Sequence, residues 1–451
     1  MQSPKMRTPI TKLIKASNSW LLPLTGFFLA ASFSTILSLI FPYEVKITPD
    51  LWFNADIERV INSLAIPNEA SRLNIHPLLG LIILPVARPI YFGATMTGLD
   101  IGPSMSIAAQ LVTSISAGIT WILVYLISLN LGLKRIQGFA VGIFFLSSST
   151  FMFWWSIPET FPLGSPTILI PFFLLSTRTR SHRLWILSLV GSFSITITNL
   201  SAGLIAACAR FGLRRQLHKI LGATMIMAIL LSLVQKSYIP TAKLPLQSLK
   251  EEVRFIKLDN PPIEKLYQFF LAPLAPLSPP NTPAGGALIY RILRFEIPAF
   301  NNIYPLGALA GVLWIFLLLN GCYAAALKRS PTSTALAIFA GIQLFLHFVY
   351  GDSPFLYSAH YTPVLILIAA YGLANRKSKN LKILLSALFC TLIAVNLIHN
   401  SIILKESFRI GELQLTSIRK EKISDRSAQD NHLDTSTGTS ANNQISKSNL
   451  F

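Results

Sequence analysis

The sequence predicts an all-α polytopic membrane protein, with about 11 transmembrane helices and a juxtamembrane segment on the outer face after the first of them. Composition is the first indication, because 52% of the 451 residues are hydrophobic, 13% are charged and the mean hydropathy is +0.54. Soluble domains carry about 25% charged residues. The second indication is a series of apolar runs that could each cross a hydrocarbon core of about 30 Å. Lipid leaves the edge of an open sheet without hydrogen-bond partners, so these runs must form helices.

The apolar runs divide by length. The longer runs, which are assigned directly, are Leu21–Phe41, Ser104–Leu129, Ile136–Trp155, Phe161–Ser176, Ile303–Leu327, Ser333–Tyr350, Leu356–Ala374 and Leu381–His399. The shorter runs that complete the predicted bundle are Leu184–Asn199, Ser201–Leu213 and Ile220–Gln235. The first run is too long for a signal peptide and no small-residue cleavage pattern follows it, so we expect an uncleaved helix.

The formal charge of +19 would suggest nucleic-acid binding in a soluble protein, but the basic residues are distributed along the chain as in a membrane protein. If the apolar segment Leu78–Ala94 does not span, the cytosolic segments are Met1–Trp20, Lys134–Arg135, Arg178–Arg183, Arg210–Lys219, Lys328–Arg329 and Arg376–Lys382. Together they hold 19 of the 38 Lys and Arg residues and none of the 19 acidic residues. This is the asymmetry that the positive-inside rule describes.

Leu78–Ala94 is therefore expected to lie in the outer interface, or to dip in and return, without crossing the bilayer. If it crossed, every later loop would change sides, and the basic loops at Lys134 and Arg178 would face outward against the positive-inside rule. Arg88 gives separate support, since an arginine near the middle of a lone span costs about 3 kcal/mol on insertion scales.

The topology divides the chain into a basic cytosolic amino-terminus at 1–20, a transmembrane domain at 21–400 and a polar tail at 401–451. Outer loops at 42–103 and 236–302 interrupt the transmembrane domain. The composition of the tail favours disorder, and the three cysteines are expected to be small core residues. The sequence has no P-loop, GxGxxG, HExxH or CxxC motif, so nucleotide chemistry on the cytosolic side has no support.

The first outer loop is the predicted location of the chemistry. In PDLWFNADIERVINSL the apolar residues recur near helical spacing, which predicts an amphipathic helix lying on the membrane. Asp56 and Arg59 lie about one helical turn apart in this segment. They are either a solvated ion pair or, in the functional interpretation, Asp56 is a base for a substrate delivered from the bilayer.

Glu159 and Asn199 are further candidates. Glu159, in WWSIPETFPLG, is a carboxylate in an apolar rim and so a functional candidate by default, although it could instead cap the helix that follows. Asn199, in SFSITITNLSAGL, stands at a break between two short helices, where a structural hydrogen-bonding role is the simpler interpretation. The short outer connection YGDSPFLYSAHY adds Asp352 and His360.

The order of these parts resembles the membrane glycosyltransferases of the GT-C superfold, the group that contains protein O-mannosyltransferases and the aminoarabinose transferases of lipid A. The matching pieces are Asp56 as the acidic residue, HPLLGLIILPVARPIYFG as the short helix and WILVYLISLNLGLKR as the following span. SITITNLSAGL stands where such proteins break a helix in a Thr-Lys or Thr-Arg sequence, and here Asn199 replaces the basic residue. YSAHYTPVLILIAAYGL resembles their late helix start.

The resemblance implies an enzyme of a bacterial plasma (inner) membrane that moves a sugar from a polyprenyl-phosphate carrier to a glycan, lipid or protein acceptor at the outer face. The leaving group is already a phosphate, so the site needs a base and donors for phosphate oxygens. Asp56 is the expected base, with Glu159 as the second catalytic candidate. The expected substrate- and phosphate-binding residues are Arg59, Arg72, His76, Asn199, Arg291, Arg294, Asp352 and His360. The sequence establishes no cofactor, and Asp56 and Glu159 could hold a divalent cation such as Mg²⁺ or Mn²⁺.

Alternatives remain open at the level of residues and of function. His76 precedes Pro77 and could simply orient the start of the short helix. The rings of Trp52, Phe53, Trp154 and Trp155 suit a groove for the lipid carrier, but aromatic belts at membrane interfaces have the same composition. The alternative functions are a multi-pass transporter, or a flippase or polymerase of lipid-linked oligosaccharides. A transporter would need polar residues deep within several spans.

Overall fold

The structure is a computed structural model that describes residues 20–41, 44, 51–53, 55, 57–65, 76–242, 244, 256, 261–281, 292–351, 353–376 and 378–440. Over these ranges the chain is helical, with isolated β-bridges and no longer strand. The helices, in chain order, are α1 (Leu21–Ile40), α2 (Ile57–Ala65), α3 (Leu79–Met96), α4 (Ile101–Asn130), α5 (Arg135–Ser147), α6 (Ser149–Trp154), α7 (Thr160–Ser176), α8 (His182–Ile195), α9 (Leu200–Phe211), α10 (Arg215–Tyr238), α11 (Pro262–Phe270), α12 (Pro305–Lys328), α13 (Pro331–Val349), α14 (Ser358–Ala374) and α15 (Lys379–Ser440).

Eight helices in the described ranges are long and apolar enough to cross a membrane. They are α1, α3, α4, α10, α12, α13, α14 with the turn before it, and α15 over Lys379–Ser417. Large apolar side chains on the surface of this bundle remain exposed, as with Leu39 (79%) and Phe345 (72%), which is expected where lipid is the solvent. The chain is therefore a helical, polytopic membrane protein.

Hydrogen bonds between helix termini identify one end of the bundle. The Asn130 side chain donates to Ser176 Oγ (3.0 Å), which joins the ends of α4 and α7. Arg210, near the end of α9, donates to the carbonyl oxygens of Arg178 (2.7 Å) and Thr179 (3.0 Å) after α7. We call this the basic end, and the end that carries the start of α7 and the α8–α9 connection the opposite end.

Helix α3 begins at the opposite end. The Leu78 N–H donates to the Ser194 carbonyl (2.9 Å) at the end of α8. The Gln235 side chain, at the end of α10, donates to the Pro77 carbonyl (3.0 Å) and accepts from the Gly80 N–H (3.0 Å). A short turn then joins α3 to α4, whose 30 residues measure about 45 Å. This length exceeds a hydrocarbon core of about 30 Å, so the first turns of α4, against which α3 packs, project beyond the opposite end.

The amphipathic helix predicted from Trp52 onward starts later, at Ile57. Trp52 pairs with Leu293 in a β-bridge, and Phe53 has a left-handed backbone (φ 55°) that ends any helix there. The apolar face of α2 packs into the protein, since Ile57 and Val60 are at most 1% exposed. Helices α3 and α4 pack against α2 and help to cover its apolar face, and its position on the membrane surface stays a prediction.

Two further boundaries differ from the sequence prediction. The span predicted over Ile136–Trp155 breaks at Ser148, whose Oγ accepts the Phe151 N–H (3.1 Å) and starts a new helix, α6. Helix α15 continues to Ser440, so the prediction of a disordered tail from residue 401 was wrong for residues 401–440. Ile403, Leu404 and Phe408 recur on one helix face and are at most 8% exposed, which extends the packed part of α15 beyond the predicted span.

Candidate functional site

A buried polar cluster lies at the opposite end, where α7, α14 and the α8–α9 connection meet. The Asn199 amide nitrogen and His360 Nε2 lie 2.8 Å and 2.5 Å from the position that a Cβ on Gly164 would occupy. Asn199 is fully buried and His360 is 3% exposed. Only a residue without a side chain leaves room for both groups at this point of α7.

Local backbone features bring Asn199 to the cluster. Helix α8 ends at Ile195, Thr196 is extended (φ −145°), and residues Ile197–Asn199 form a single 3-10 turn before α9. The Asn199 N–H donates to the Thr196 carbonyl (3.0 Å) and fixes that turn. The predicted break between two short helices is confirmed, and it directs the Asn199 side chain toward α7.

Glu159 precedes this region as the N-cap residue of α7. Its side chain is fully buried, and Oε1 accepts a hydrogen bond from Thr160 Oγ1 (2.9 Å). The carboxylate makes no capping hydrogen bond to the helix backbone. Glu159 therefore occupies the N-cap position of α7, but its carboxylate does not make the hydrogen bond that a capping side chain makes.

A second group of polar residues, which the sequence analysis missed, adjoins His360. The His347 ring stacks on Tyr357 with centroids 4.5 Å apart, and its Nε2 lies 3.2 Å from Gln343 Oε1. The Lys265 ammonium, 2% exposed, donates to the Phe348 carbonyl (2.6 Å). His347 is close enough to both His360 and Lys265 to interact electrostatically with them. A histidine inside the apolar run of α13 was the signal in the sequence, whereas nothing in the proline-rich loop marked Lys265.

Several polar atoms of this cluster are buried without a hydrogen-bond partner among the residues that the structure describes. They are both polar side-chain atoms of Asn199, together with Ser358 Oγ and His360 Nε2. A buried polar atom left unpaired costs about 1–3 kcal/mol, so such atoms are usually satisfied by ligand or water. The cluster therefore has spare donors and acceptors for a polar ligand in an otherwise apolar bundle.

His76 lies at the same end, and its side chain hydrogen-bonds to a backbone carbonyl. Its Nδ1 atom donates to the Ile195 carbonyl at the end of α8, directly before the turn that carries Asn199. This contact agrees with the alternative in which His76 orients the start of the short helix. Arg59 is exposed on α2. Asp56, Arg72, Arg291 and Asp352 lie outside the described residues.

Arg294 belongs to a different group, in the second outer loop. Its backbone pairs with Asn281 in an antiparallel bridge, and its charge acts on Glu264 and Glu296. Burial raises the pKa of Glu264, and Glu296 raises it further, while Arg294 opposes the shift. Burial also raises the pKa of Glu296 against the same arginine. The structure thus associates Arg294 with two carboxylates, which compete with phosphate for its guanidinium.

The aromatic residues proposed for a carrier groove or an interfacial belt neither line a groove nor face the membrane interface. Trp52, Phe53, Trp154 and Trp155 are all fully buried. Phe53 packs against Phe355, with ring centroids 4.7 Å apart, and the Trp154 indole donates to the Phe355 carbonyl (2.9 Å). Both interpretations were wrong, because these rings form the packed core beneath the outer loops.

The fold and the cluster define a helical membrane protein with a buried polar site near one end of its bundle. No family model matches the sequence, and the comparison with curated proteins gives no match. Among the described residues, no group of three His, Cys, Asp or Glu side chains could hold a metal ion. The cation site predicted at Asp56 and Glu159 includes a residue outside the described ranges and stays a prediction.

Proposed function

We propose that this protein is a membrane glycosyltransferase with a GT-C-like layout, which transfers a sugar from a polyprenyl-phosphate carrier at the outer face of a bacterial plasma membrane. Glu159 is the N-cap residue of the helix that carries Gly164. The observation that carries the proposal is the convergence of Asn199 and His360 on Gly164. Their unpaired polar atoms suit a ligand that brings many oxygen atoms into an apolar bundle, as a sugar phosphate does.

The layout of the helices supports the same proposal. The start of α3 is held at the opposite end of the bundle by the ends of α8 and α10, which supports a juxtamembrane helix after the first span. The basic residues gather at the other end, so the positive-inside rule favours an outward-facing polar cluster. A carrier lipid could then enter the cluster from the outer leaflet.

In this mechanism Asp56 removes the proton of the acceptor hydroxyl, which then attacks the anomeric carbon. The bond from that carbon to the carrier phosphate oxygen breaks, and the phosphate leaves with the electron pair. His360, Asn199 and Lys265 supply donors and positive charge to the phosphate oxygens, where negative charge develops. Glu159 orients the sugar through its hydroxyl groups or takes the role of the base.

A transfer assay tests the proposal. Purified protein in proteoliposomes is given radiolabelled polyprenyl-phosphate sugars and a membrane extract as the source of acceptor. Wild-type protein should release free polyprenyl phosphate, and His360→Gln should lower that rate by about 10². His218→Gln, at the exposed basic end of α10, should match wild type. Flipping of the carrier without release of polyprenyl phosphate would favour the flippase alternative.

A further inference from the structure

A polar cleft opens at the basic end of the bundle, away from the cluster described above. It has a volume of about 450 Å³ and lies between the carboxyl ends of α4, α7, α9 and α14 and the start of α13. Its lining includes Arg178, Arg210, Ser330 and Thr332, and its described lining residues include no carboxylate. The cleft therefore offers cationic and hydroxyl donors and excludes acidic competitors.

An apolar groove adjoins this cleft on the lipid-facing side of α9, α12 and α13. It has a volume of about 1090 Å³ and shares Ala209 and Pro331 with the cleft. Small side chains create it, mainly Cys208, Ala325, Ala326, Ala335 and Ala337. Arg329 stands at its rim. The polar cleft thus opens into the apolar groove, which is of the kind that an extended hydrocarbon chain fills.

We propose that the cleft and the groove together bind one anionic phospholipid from the leaflet at the basic end. The headgroup phosphate lies in the cleft between Arg178 and Arg210, with Arg329 at the rim of the adjoining groove, and one acyl chain lies along the groove. Basic pockets between transmembrane helices are suited to anionic headgroups. The planar guanidinium matches phosphate oxygens in geometry as well as in charge.

The charge balance of the cleft favours an anion. Four helices end at it, and each carboxyl end contributes about −0.5 charge, or about −2 in all. Arg178 and Arg210 contribute about +2, and the start of α13, with its Ser330 cap, adds about +0.5. Arg329, at the rim of the adjoining groove, adds a further +1 close by. Arg210 is also held in place by its bonds to the Arg178 and Thr179 carbonyls, so its position does not depend on the ligand.

The apolar groove makes the proposed ligand a lipid and not a free anion. Inorganic phosphate would use the arginines and leave the groove unfilled. A neutral lipid would fill the groove and leave the three guanidinium groups without a counter-charge. Only an anionic phospholipid satisfies both halves of the surface. This inference does not depend on the proposed transferase activity.

Lipid binding to the full-length purified protein tests the proposal. The thermal midpoint is titrated in neutral detergent with phosphatidylglycerol, with phosphatidylcholine of the same chains and with inorganic phosphate. Phosphatidylglycerol should raise the midpoint at the lowest concentration. The double variant Arg178→Ala/Arg329→Ala should weaken its apparent affinity at least tenfold. Arg183→Ala, an exposed arginine in the first turn of α8 and outside the lining of both cavities, should leave the affinity unchanged.

A groove variant separates a lipid from a simple anion and guards against misfolding of the arginine variant. Ala326→Trp keeps all three arginines and fills the groove, so it should also weaken phosphatidylglycerol binding at least tenfold. The proposal is overturned if phosphatidylcholine binds as tightly as phosphatidylglycerol, or if the double variant behaves like Arg183→Ala. It is also overturned if Ala326→Trp keeps full affinity, or if inorganic phosphate gives the same effect as the lipid.

Discussion

The Asn199 amide nitrogen and His360 Nε2 approach the same backbone position, Gly164, from two different helices, at 2.8 Å and 2.5 Å from where its Cβ would lie. A methyl group there would displace both side chains, since real Cβ atoms do not come this close to neighbouring atoms. Gly164→Ala should therefore lower the transfer rate by about tenfold or more. A displacement of a binding group by about 1 Å can lower a reaction rate by about 10²-fold. The rate of polyprenyl phosphate release measures it.

The matched control is Gly191→Ala on α8, where a Cβ would meet nothing within 4 Å. Alanine in a helix interior is favoured over glycine by about 0.5–1 kcal/mol, so this variant should be as stable as wild type or slightly more so, and fully active. Equal activity of the two alanine variants would show that Gly164 is not part of the site.

The connection between α3 and α10 depends on one buried amide. Gln235, 1% exposed, bonds to the Pro77 carbonyl and to the Gly80 N–H. Gln235→Met keeps the size but leaves both backbone groups unpaired, so the free energy of unfolding should fall by about 1–3 kcal/mol. Denaturant or thermal unfolding in detergent measures this change. Gln216→Met, exposed on the same helix, should be neutral, and a loss as large as that of Gln235→Met would argue against the hydrogen-bonding explanation.

The carboxylates of the second outer loop predict a dependence of stability on pH. The pKa of Glu264 is raised above its ordinary value of 4.5, chiefly by burial. The folded state therefore holds this proton more tightly than the unfolded state, and stability should fall as the pH rises from about 4.5 through the raised pKa. At about pH 7 Glu264→Gln should have a higher thermal midpoint than wild type, and near pH 4 the difference should vanish. Glu58→Gln, exposed on α2, is the control, and a midpoint difference independent of pH would contradict the assignment.

The proposed juxtamembrane position of α3 predicts the sidedness of the loops. Reporter fusions after Lys134 and after Arg178 should both report cytosol, because these basic loops lie at the same end of the bundle. Fusions at Thr97 and near residue 260 should report the outside. A cytosolic signal at Thr97 would mean that α3 crosses the membrane and that the polar cluster faces the cytosol.

Helix existence could be predicted from the sequence, since each apolar run has a helical counterpart in the structure. Hydrophobic length is a local property, and lipid allows no other regular structure for it. The break at Asn199 was also predictable, because polar β-branched residues interrupt an apolar run there. Helix boundaries set by tertiary contacts could not be predicted from the sequence. At Ser148, for example, a single serine ends one helix and starts the next.

The candidate site could be predicted only in part. Glu159, Asn199 and His360 stood out because polar side chains are rare in apolar surroundings. Lys265 did not, since a polar residue in a loop is ordinary until the loop folds back against the bundle. Gly164 had no signal at all, because its role is to leave space for residues that are distant in the sequence.

The transferase proposal rests most directly on the base, Asp56, which the sequence pattern singles out. Asp56→Asn keeps the shape of the side chain and removes the base, so the rate of sugar transfer from polyprenyl phosphate should fall by about 10²–10⁴ while binding of the carrier lipid stays nearly unchanged. Glu58→Gln, two residues along, is the control and should transfer sugar at the wild-type rate. Equal transfer rates for Asp56→Asn and Glu58→Gln would place the base elsewhere, and the absence of transfer by the wild-type protein with every carrier-linked sugar tested would contradict the transferase account.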